Sequence, residues 1–91
     1  MPNFSRTVEI RNKLGLHARA ATKLARLANE FEAKVIIAQD GKEVDAASVM
    51  GLMLLASQRG KEIEIKAAGK DAEAALNAIS TLIEERFHED E

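Results

Sequence analysis

The sequence predicts an α+β fold in which helices cover one face of a single β-sheet. Segments with the pattern of strands or of amphipathic helices follow one another in the order β-α-β-β-α-β-α. Each strand segment has one apolar face, which indicates a sheet that is covered on one side only. The 91 residues, 46% of them hydrophobic and 31% charged, suffice for one modest core, so we expect one domain over 1–91.

A strand and a helix open the predicted order. Over residues 4–10, Phe4, Val8 and Ile10, with Arg6 in the same register, alternate with polar side chains, which is the period of a half-buried strand. Residues 12–16 break this alternation and indicate a loop. From Ala18 onward, apolar residues recur at helical spacing. The predicted buried face of this helix consists of Ala20, Ala21, Leu24, Leu27, Ala28 and Phe31.

The middle of the chain predicts a hairpin followed by a short helix. Residues 34–39 form a β-branched run, Asp40-Gly41 favours a tight turn, and residues 42–45 return as the second strand. Ser48 is a suitable N-cap for a helix over about residues 49–57, which would end near Gly60.

The last third of the chain predicts a strand and a long helix. Residues 61–67 alternate cleanly, and Asp71 is expected to cap the helix that follows. We expect His88 and the acidic residues 89–91 to form a solvated, frayed end. The apolar stripe of the last helix consists of Ala72, Ala75, Leu76, Ile79, Leu82 and Ile83.

The composition argues against several classes of protein. Because the chain has no cysteine, it has no disulfide framework or thiolate metal site, and we expect no metal or cofactor. Residues 1–6 lack the apolar core of a signal peptide, and the longest apolar stretch, residues 49–56, is too short to span a bilayer. We therefore expect a cytoplasmic protein without membrane insertion. Three phenylalanines, with no Tyr or Trp, disfavour nucleic-acid binding through stacked bases.

Positive charge is concentrated at the start of the chain. The net charge is −2, but residues 1–28 contain a single acidic residue, Glu9. This distribution favours an anionic ligand or partner. The basic residues of this segment are Arg6, Arg11, Lys13, Arg19, Lys23 and Arg26.

His17 lies where the Gly15-containing loop meets the first predicted helix. The backbone N–H groups of Ala18 and Arg19, at the helix start, lack intrahelical partners and favour an anion such as phosphate. The Arg19 guanidinium matches phosphate geometry, although a cation at this position opposes the helix dipole. Gly15 allows close backbone approach or a positive φ. The residues therefore predict an anion site containing a nucleophilic histidine, and a plain helix cap or surface histidine is the alternative.

Two motifs in the chain resemble those of a known family. Residues 12–21, Asn-Lys-Leu-Gly-Leu-His-Ala-Arg-Ala-Ala, resemble the active-site signature of the histidine-containing phosphocarriers (HPr) of the bacterial phosphotransferase system. Residues 47–53 resemble the second signature of that family, at the expected separation. The resemblance runs from about Thr7 to Phe87. It implies an open-faced β-sandwich in which three helices cover one face of four antiparallel strands.

The same resemblance implies a function. Phosphorylation is expected at Nδ1 of His17 by enzyme I, with phosphoenolpyruvate as the ultimate donor, while Arg19 stabilises the phosphoryl group. The phosphoryl group would then pass to a histidine of an EIIA-type protein. Such a chain is a monomeric carrier and not an enzyme, and its partners are proteins, with no nucleic acid or membrane involved.

The chain departs from the family signature at two places. Ala20 stands where proline is usual, which leaves one more free N–H and a slightly less rigid helix start. Residues 45–47 lack the basic residue often found before the serine, and the end of the chain is acidic. These features resemble the nitrogen-branch carriers (NPr) more than the sugar-uptake HPr proteins, and the branch stays open.

Ser48 admits two interpretations. As a helix N-cap it would contribute ~1 kcal/mol, and we favour this interpretation because it is sufficient. In some members of the family the matching serine is phosphorylated by a dedicated kinase, which blocks carrier function. A regulatory phosphoserine is therefore the alternative.

The second predicted helix carries a surplus of apolar residues. Residues 49–55 contain more of them than one helix face can bury, which indicates an exposed patch for partner proteins. The resemblance adds docking contacts on the helix after the histidine. The expected docking residues are Leu16, Ala20, Lys23, Met50 and Met53.

Other classes of function explain less of the sequence. A regulatory binding module of the same fold would use the apolar patch without chemistry, but it would not need His17. A compact RNA-binding domain would explain the basic helix but not the few aromatic residues or the negative net charge. An independent enzyme would need a second catalytic group, and the sequence shows no motif for one.

Overall fold

The computed structural model describes residues 3–55 and 57–89, which contain four strands and three helices. The strands are β1 (Asn3–Glu9), β2 (Lys34–Gln39), β3 (Lys42–Asp45) and β4 (Glu62–Ala68). The helices are α1 (Ala18–Ala28), α2 (Val49–Leu55) and α3 (Ala72–Glu84), and one short turn follows at Arg86–His88. The strands form an antiparallel sheet in the order β1-β4-β2-β3. The predicted order of elements and the predicted fold class are both confirmed.

The helices cover one face of the sheet. Helix α3 packs against β1 and β4, α2 packs against β3, and α1 packs against α2 and α3. Ile63, Ile65 and Ala67 alternate along β4 and point into the core, as the period of the sequence predicts. Leu24 and Ile79 are fully buried on the helical side. Because burial of a side chain of this size contributes ~1.5–3 kcal/mol, this layer holds α1 and α3 on the sheet.

The hairpin between β2 and β3 closes at the predicted turn. Asp40 and Gly41 have φ values of 52° and 83°, and Gln39 pairs with Lys42 across the ladder. Two successive positive φ values match the right-handed twist of the flanking strands, which is why Asp-Gly favours this position.

The bounds of three elements differ slightly from the prediction. Strand β1 covers residues 3–9 and not 4–10, β4 covers residues 62–68 and not 61–67, and the described part of α2 is Val49–Leu55, with Ser57 outside the helix. Ala56, within the predicted helix, lies outside the described residues. Within residues 3–55 and 57–89, no helix is long and apolar enough to cross a membrane.

Asp71 is the N-cap residue of α3, as expected, but its side chain makes no capping hydrogen bond to the helix. Its carboxylate instead accepts hydrogen bonds from the backbone N–H groups of Glu32, at 3.0 Å, and Ala33, at 2.7 Å. These bonds, that of Glu32 foremost, outweigh the opposing effect of burial and lower the pKa of Asp71. The carboxylate therefore ties the start of α3 to the segment that enters β2.

The chain after α3 folds back onto the helices. Arg86, Phe87 and His88 have φ values of 59°, 54° and 64°, so the backbone makes a left-handed turn. The Phe87 side chain is fully buried in the core, and the turn carries Glu89 to the start of α1. We call residues 85–89 the C-terminal strap. The expectation of a frayed end is wrong for Glu89, while Asp90 and Glu91 lie outside the described residues.

Candidate functional site

The loop between β1 and α1 holds the candidate site against the end of α2. Gly15 has a φ of 66°, and a Cβ at this position would overlap the carbonyl oxygen of Ser57. That oxygen accepts a hydrogen bond from the backbone N–H of Leu16 at 2.8 Å. The two reasons given by the sequence for glycine, a positive φ and a close backbone approach, both apply here. The loop therefore enters α1 along one fixed path.

His17 is the N-cap residue of α1. Its backbone is extended, with φ −78° and ψ 178°, and its carbonyl oxygen accepts the first helical hydrogen bond from Ala21 at 2.8 Å. The Nδ1 atom accepts a long hydrogen bond of 3.3 Å from the backbone N–H of Arg19. Nδ1 therefore lies among the N–H groups at the start of α1, where the partial positive charge of the helix favours an anion.

The other ring nitrogen of His17 contacts the C-terminal strap. Nε2 lies 2.5 Å from Oε2 of Glu89. The second oxygen of that carboxylate, Oε1, accepts a hydrogen bond of 3.0 Å from Nδ2 of Asn12, which also donates to the carbonyl oxygen of Gly15 at 2.7 Å. The side chains of His17 and Glu89 are 22% and 14% exposed, and Asn12 is fully buried. The imidazole is thus fixed at both nitrogens.

The environment of Glu89 favours its carboxylate form. Burial opposes the charge, but the hydrogen bonds from Asn12 and His17, with the positive charge of Arg19, outweigh it. The net effect lowers the pKa of Glu89 below its ordinary value. Glu89 is therefore ionised at neutral pH and acts as a hydrogen-bond acceptor only.

Two cations of α1 lie beside this arrangement. Arg19 is exposed at the first turn of the helix; its backbone N–H contacts Nδ1 of His17, and its positive charge acts on Glu89. Lys23, one turn later, is partly buried, and its Nζ donates a hydrogen bond of 2.7 Å to the carbonyl oxygen of Phe87. Lys23 therefore fastens the C-terminal strap, whereas the role of Arg19 in stabilising a phosphoryl group stays a prediction.

An exposed apolar surface borders the histidine. Leu14, Met50, Met53 and Leu54 are 63%, 72%, 45% and 76% exposed. We call these four residues the apolar patch. Contiguous exposed side chains of this size are typical of protein-binding surfaces. A shallow depression beside the patch is lined by Leu14, Leu16, His17, Ala18, Met53, Ser57 and Gln58.

Two of the expected docking residues expose little of their side chains. Leu16 is 4% exposed and Ala20 is fully buried. Leu16 still lines the depression beside the apolar patch, and the docking role of both residues stays a prediction. Met50 and Met53 remain accessible, and Lys23 remains partly so.

Ser48 lies at the start of α2. Its Oγ accepts a hydrogen bond of 3.0 Å from the backbone N–H of Gly51, which is the geometry of an N-cap. The capping interpretation is confirmed by this contact. A regulatory phosphorylation of Ser48 stays a prediction.

Asn12 and Glu89 belong to the site, although the sequence pattern gave neither of them a role. Glu89 contacts His17, and Asn12 contacts Glu89, yet Asn12 and Glu89 are separated by 77 positions along the chain. One feature of the sequence points to this part of the site: Phe87 is an apolar residue just beyond the end of α3, which indicates that the chain returns to the core there. The sequence pattern does not predict where the side chain of Glu89 then lies.

The comparisons with known proteins agree with the motifs. A family model described as the PTS HPr component phosphorylation site matches residues 4–85. Phosphocarrier protein NPr of Shewanella violacea is 53% identical over 89 residues, which are 98% of each chain. Phosphocarrier protein HPr of Xylella fastidiosa is 44% identical over 81 residues, which cover 89% of this chain and 91% of the relative.

A solved structure has the same architecture. The crystal structure of HPr-C-His from Thermoanaerobacter tengcongensis superposes with a TM-score of 0.93 at 39% identity and covers 97% of this chain and 99% of its own. The sequence motifs, the fold and the relatives thus agree over nearly the whole length. This chain belongs to the HPr family of phosphocarrier proteins of the phosphotransferase system.

Proposed function

We propose that this protein accepts a phosphoryl group on Nδ1 of His17 from phosphorylated enzyme I and passes it to a histidine of an EIIA-type protein in the cytoplasm. The observation that carries the proposal is the position of Nδ1 at the start of α1, among backbone N–H groups that lack helical partners and in contact with the N–H of Arg19. In this role the chain is a carrier, phosphorylated by one enzyme and emptied by another, and it needs no metal or cofactor.

The transfer step uses the lone pair of Nδ1. This atom attacks phosphorus, the Nδ1–P bond forms, and the bond between phosphorus and the donor atom breaks. The N–H of Arg19 then exchanges its long contact with Nδ1 for a phosphoryl oxygen, and the N–H of Ala18 offers a second donor. The Arg19 guanidinium supplies a charge-assisted contact to the same group. Delivery to the acceptor reverses these steps.

The apolar patch is the proposed docking surface for both partners. It borders His17, so a protein seated on it brings its own reactive group to the ring. Identity to the NPr relative is higher than to the HPr relative, at 53% against 44%. This difference supports the nitrogen branch, with the matching enzyme I as donor.

The first experiment is phosphorus NMR of the protein after incubation with enzyme I and phosphoenolpyruvate. We expect an acid-labile phosphohistidine signal that is absent from His17→Ala. The chain has two histidines, so His88→Ala is the matched control and should keep the signal, since His88 is exposed and pairs with Glu85. The proposal would be refuted if His17→Ala kept the signal. It would also be refuted if the unmodified protein gave no signal with the enzyme I of the sugar branch or with that of the nitrogen branch.

The docking surface has a separate test. Met50→Asp places a charge in the apolar patch, and we expect it to slow phosphorylation by enzyme I roughly tenfold or more, since a hot-spot residue of a protein interface contributes ~1–2 kcal/mol or more. Ala74→Asp adds the same charge on the exposed face of α3 and is the control. Equal rates for the two variants would place the docking surface elsewhere.

A further inference from the structure

The C-terminal strap is built to hold one carboxylate against His17. Three successive residues with positive φ cost roughly 1–2 kcal/mol each, so contacts must hold this backbone in place. Two such contacts are present, the fully buried ring of Phe87 and the hydrogen bond of 2.7 Å from Lys23 to the Phe87 carbonyl oxygen. Glu89 comes two residues after that anchor and bonds Nε2 of His17.

The orientation of the carboxylate is fixed from a second side. Its Oε1 accepts from Asn12, which is fully buried and is itself held by the carbonyl oxygen of Gly15. The two oxygens of Glu89 therefore have different partners, one in the β1–α1 loop and one on the imidazole. A side chain that merely covered the site would not need both contacts.

The hydrogen bonds assign the proton on the ring. A carboxylate accepts only, so Nε2 donates to Glu89 and carries the hydrogen. Nδ1 accepts from the N–H of Arg19, so it carries the lone pair. Both contacts of His17 agree on one tautomer, in which the nitrogen that faces the helix start is the nucleophile.

We propose that Glu89 is a positioning residue that keeps the proton on Nε2 of His17 throughout the carrier cycle, so that the phosphoryl group on Nδ1 remains transferable. The inference rests on the function proposed above. When Nδ1 bonds phosphorus, the ring gains a positive charge and Nε2 still holds its proton. The Glu89 carboxylate lies on that side of the ring and stabilises this charge.

The retained proton determines how the group leaves. On transfer the Nδ1–P bond breaks, its electron pair returns to Nδ1, and His17 leaves as a neutral imidazole that still carries hydrogen on Nε2. Without that proton the leaving group would be an imidazolate, which is a much poorer one. No proton is gained or lost by His17 in either direction, so the step needs no other acid or base.

The surrounding charges make the carboxylate necessary for this role. Arg19 and Lys23 lie on the first two turns of α1, the helix that His17 caps, and Lys13 lies in the loop before it; all three are cations, and positive charge here disfavours a positive ring. Among residues 3–55 and 57–89, Glu89 is the carboxylate that contacts the imidazole.

The test uses Glu89→Gln, which keeps the shape of the side chain and removes its charge. At neutral and mildly alkaline pH, we expect the ¹⁵N resonance of Nε2 in the phosphorylated protein to move toward the position of an unprotonated ring nitrogen. We also expect transfer to the acceptor to slow roughly five- to tenfold. Glu89→Asp restores the charge and should recover both properties in part.

A matched control distinguishes the proposed role of Glu89 from the effect of removing any negative charge from the C-terminal strap. Glu85→Gln removes the same charge four residues earlier, where the carboxylate pairs with the exposed His88 and not with His17. We expect its ¹⁵N shift and transfer rate to equal those of the unmodified protein. If all variants are phosphorylated and share the same Nε2 shift and the same transfer rate, the proposed role of Glu89 is wrong but the proposed function stands. If the unmodified protein is not phosphorylated at all, the proposed function itself is wrong.

Discussion

Gly15→Ala is the substitution that tests most directly how the loop positions the candidate site. The backbone of Gly15 has a φ of 66°, in the left-handed region. A Cβ there would overlap the carbonyl oxygen of Ser57 and lie 3.0 Å from Cα of Gln58. Both neighbours are backbone atoms, so no side chain can rotate away, and the loop must move.

The expected cost has two parts. The left-handed conformation costs alanine ~1–2 kcal/mol, and forcing extra volume into a packed site costs ~1–3 kcal/mol. We therefore expect Gly15→Ala to lower the free energy of unfolding by about 2–5 kcal/mol. Since small domains have a total stability of ~5–15 kcal/mol, the variant should still fold at low temperature.

A second glycine of the same chain isolates the steric part. Gly60 has a φ of 90° and no atom within 4 Å of a Cβ, so Gly60→Ala pays the conformational cost alone. Urea unfolding of both variants, followed by circular dichroism, gives the difference between them. We expect Gly15→Ala to be less stable than Gly60→Ala by at least ~1 kcal/mol.

The same variant has a functional consequence. Moving Gly15 away from Ser57 disturbs the hydrogen bond of 2.8 Å from Leu16 and the contact of 2.7 Å from Asn12 to the Gly15 carbonyl oxygen. Phosphorylation of the folded variant should therefore be slower than that of Gly60→Ala. Equal stability and equal rates for the two variants would refute the argument that the approach to Ser57 positions the histidine.

Two further predictions concern stability away from the histidine. The pKa of Asp71 is lowered in the folded protein because its carboxylate accepts hydrogen bonds from the N–H groups of Glu32 and Ala33. These bonds stabilise the fold fully at pH values above the ordinary pKa of an aspartate. The stabilisation is lost as the pH falls through the lower pKa of the folded state. Asp71→Asn should thus flatten the acid side of a plot of unfolding free energy against pH, and an unchanged acid side would contradict the assignment. Ser48→Ala removes the cap to Gly51 and should cost ~1 kcal/mol in thermal or urea unfolding, whereas no loss would show that the cap contributes nothing.

Local patterns were sufficient to predict most of the fold. The alternation of residues 61–67 and the Asp40-Gly41 turn depend on interactions between near neighbours in sequence, and the structure has the turn at the expected residues and the strand within one residue of them. Asp71 shows where such reasoning ends. Its type and position suit a helix cap, but its carboxylate bonds the N–H groups of Glu32 and Ala33, nearly forty positions away. A tertiary contact of that kind leaves no periodic signal.

The candidate site likewise contains residues that local sequence predicts and residues that depend on tertiary contacts. His17 and Gly15 belong to one short loop, so their chemistry and backbone requirements can be read together from the sequence. The contribution of Glu89 depends on a left-handed turn after α3 and on the burial of Phe87 in a core assembled from the whole chain. Acidic residues at the end of a chain are usually solvated, which is why the pattern favoured the wrong interpretation.

The arrangement around His17 separates two anions that would otherwise repel each other. The carboxylate of Glu89 lies on the Nε2 side of the ring, and the proposed phosphoryl site lies on the Nδ1 side, at the start of α1. The apolar patch borders the same ring, and the imidazole keeps 22% of its side-chain surface exposed. A partner that covered Leu14 and Met53 would therefore also remove water from the nitrogen proposed to react. In the proposed function, docking and protection from hydrolysis would follow from one contact, so a substitution in the apolar patch should weaken both together.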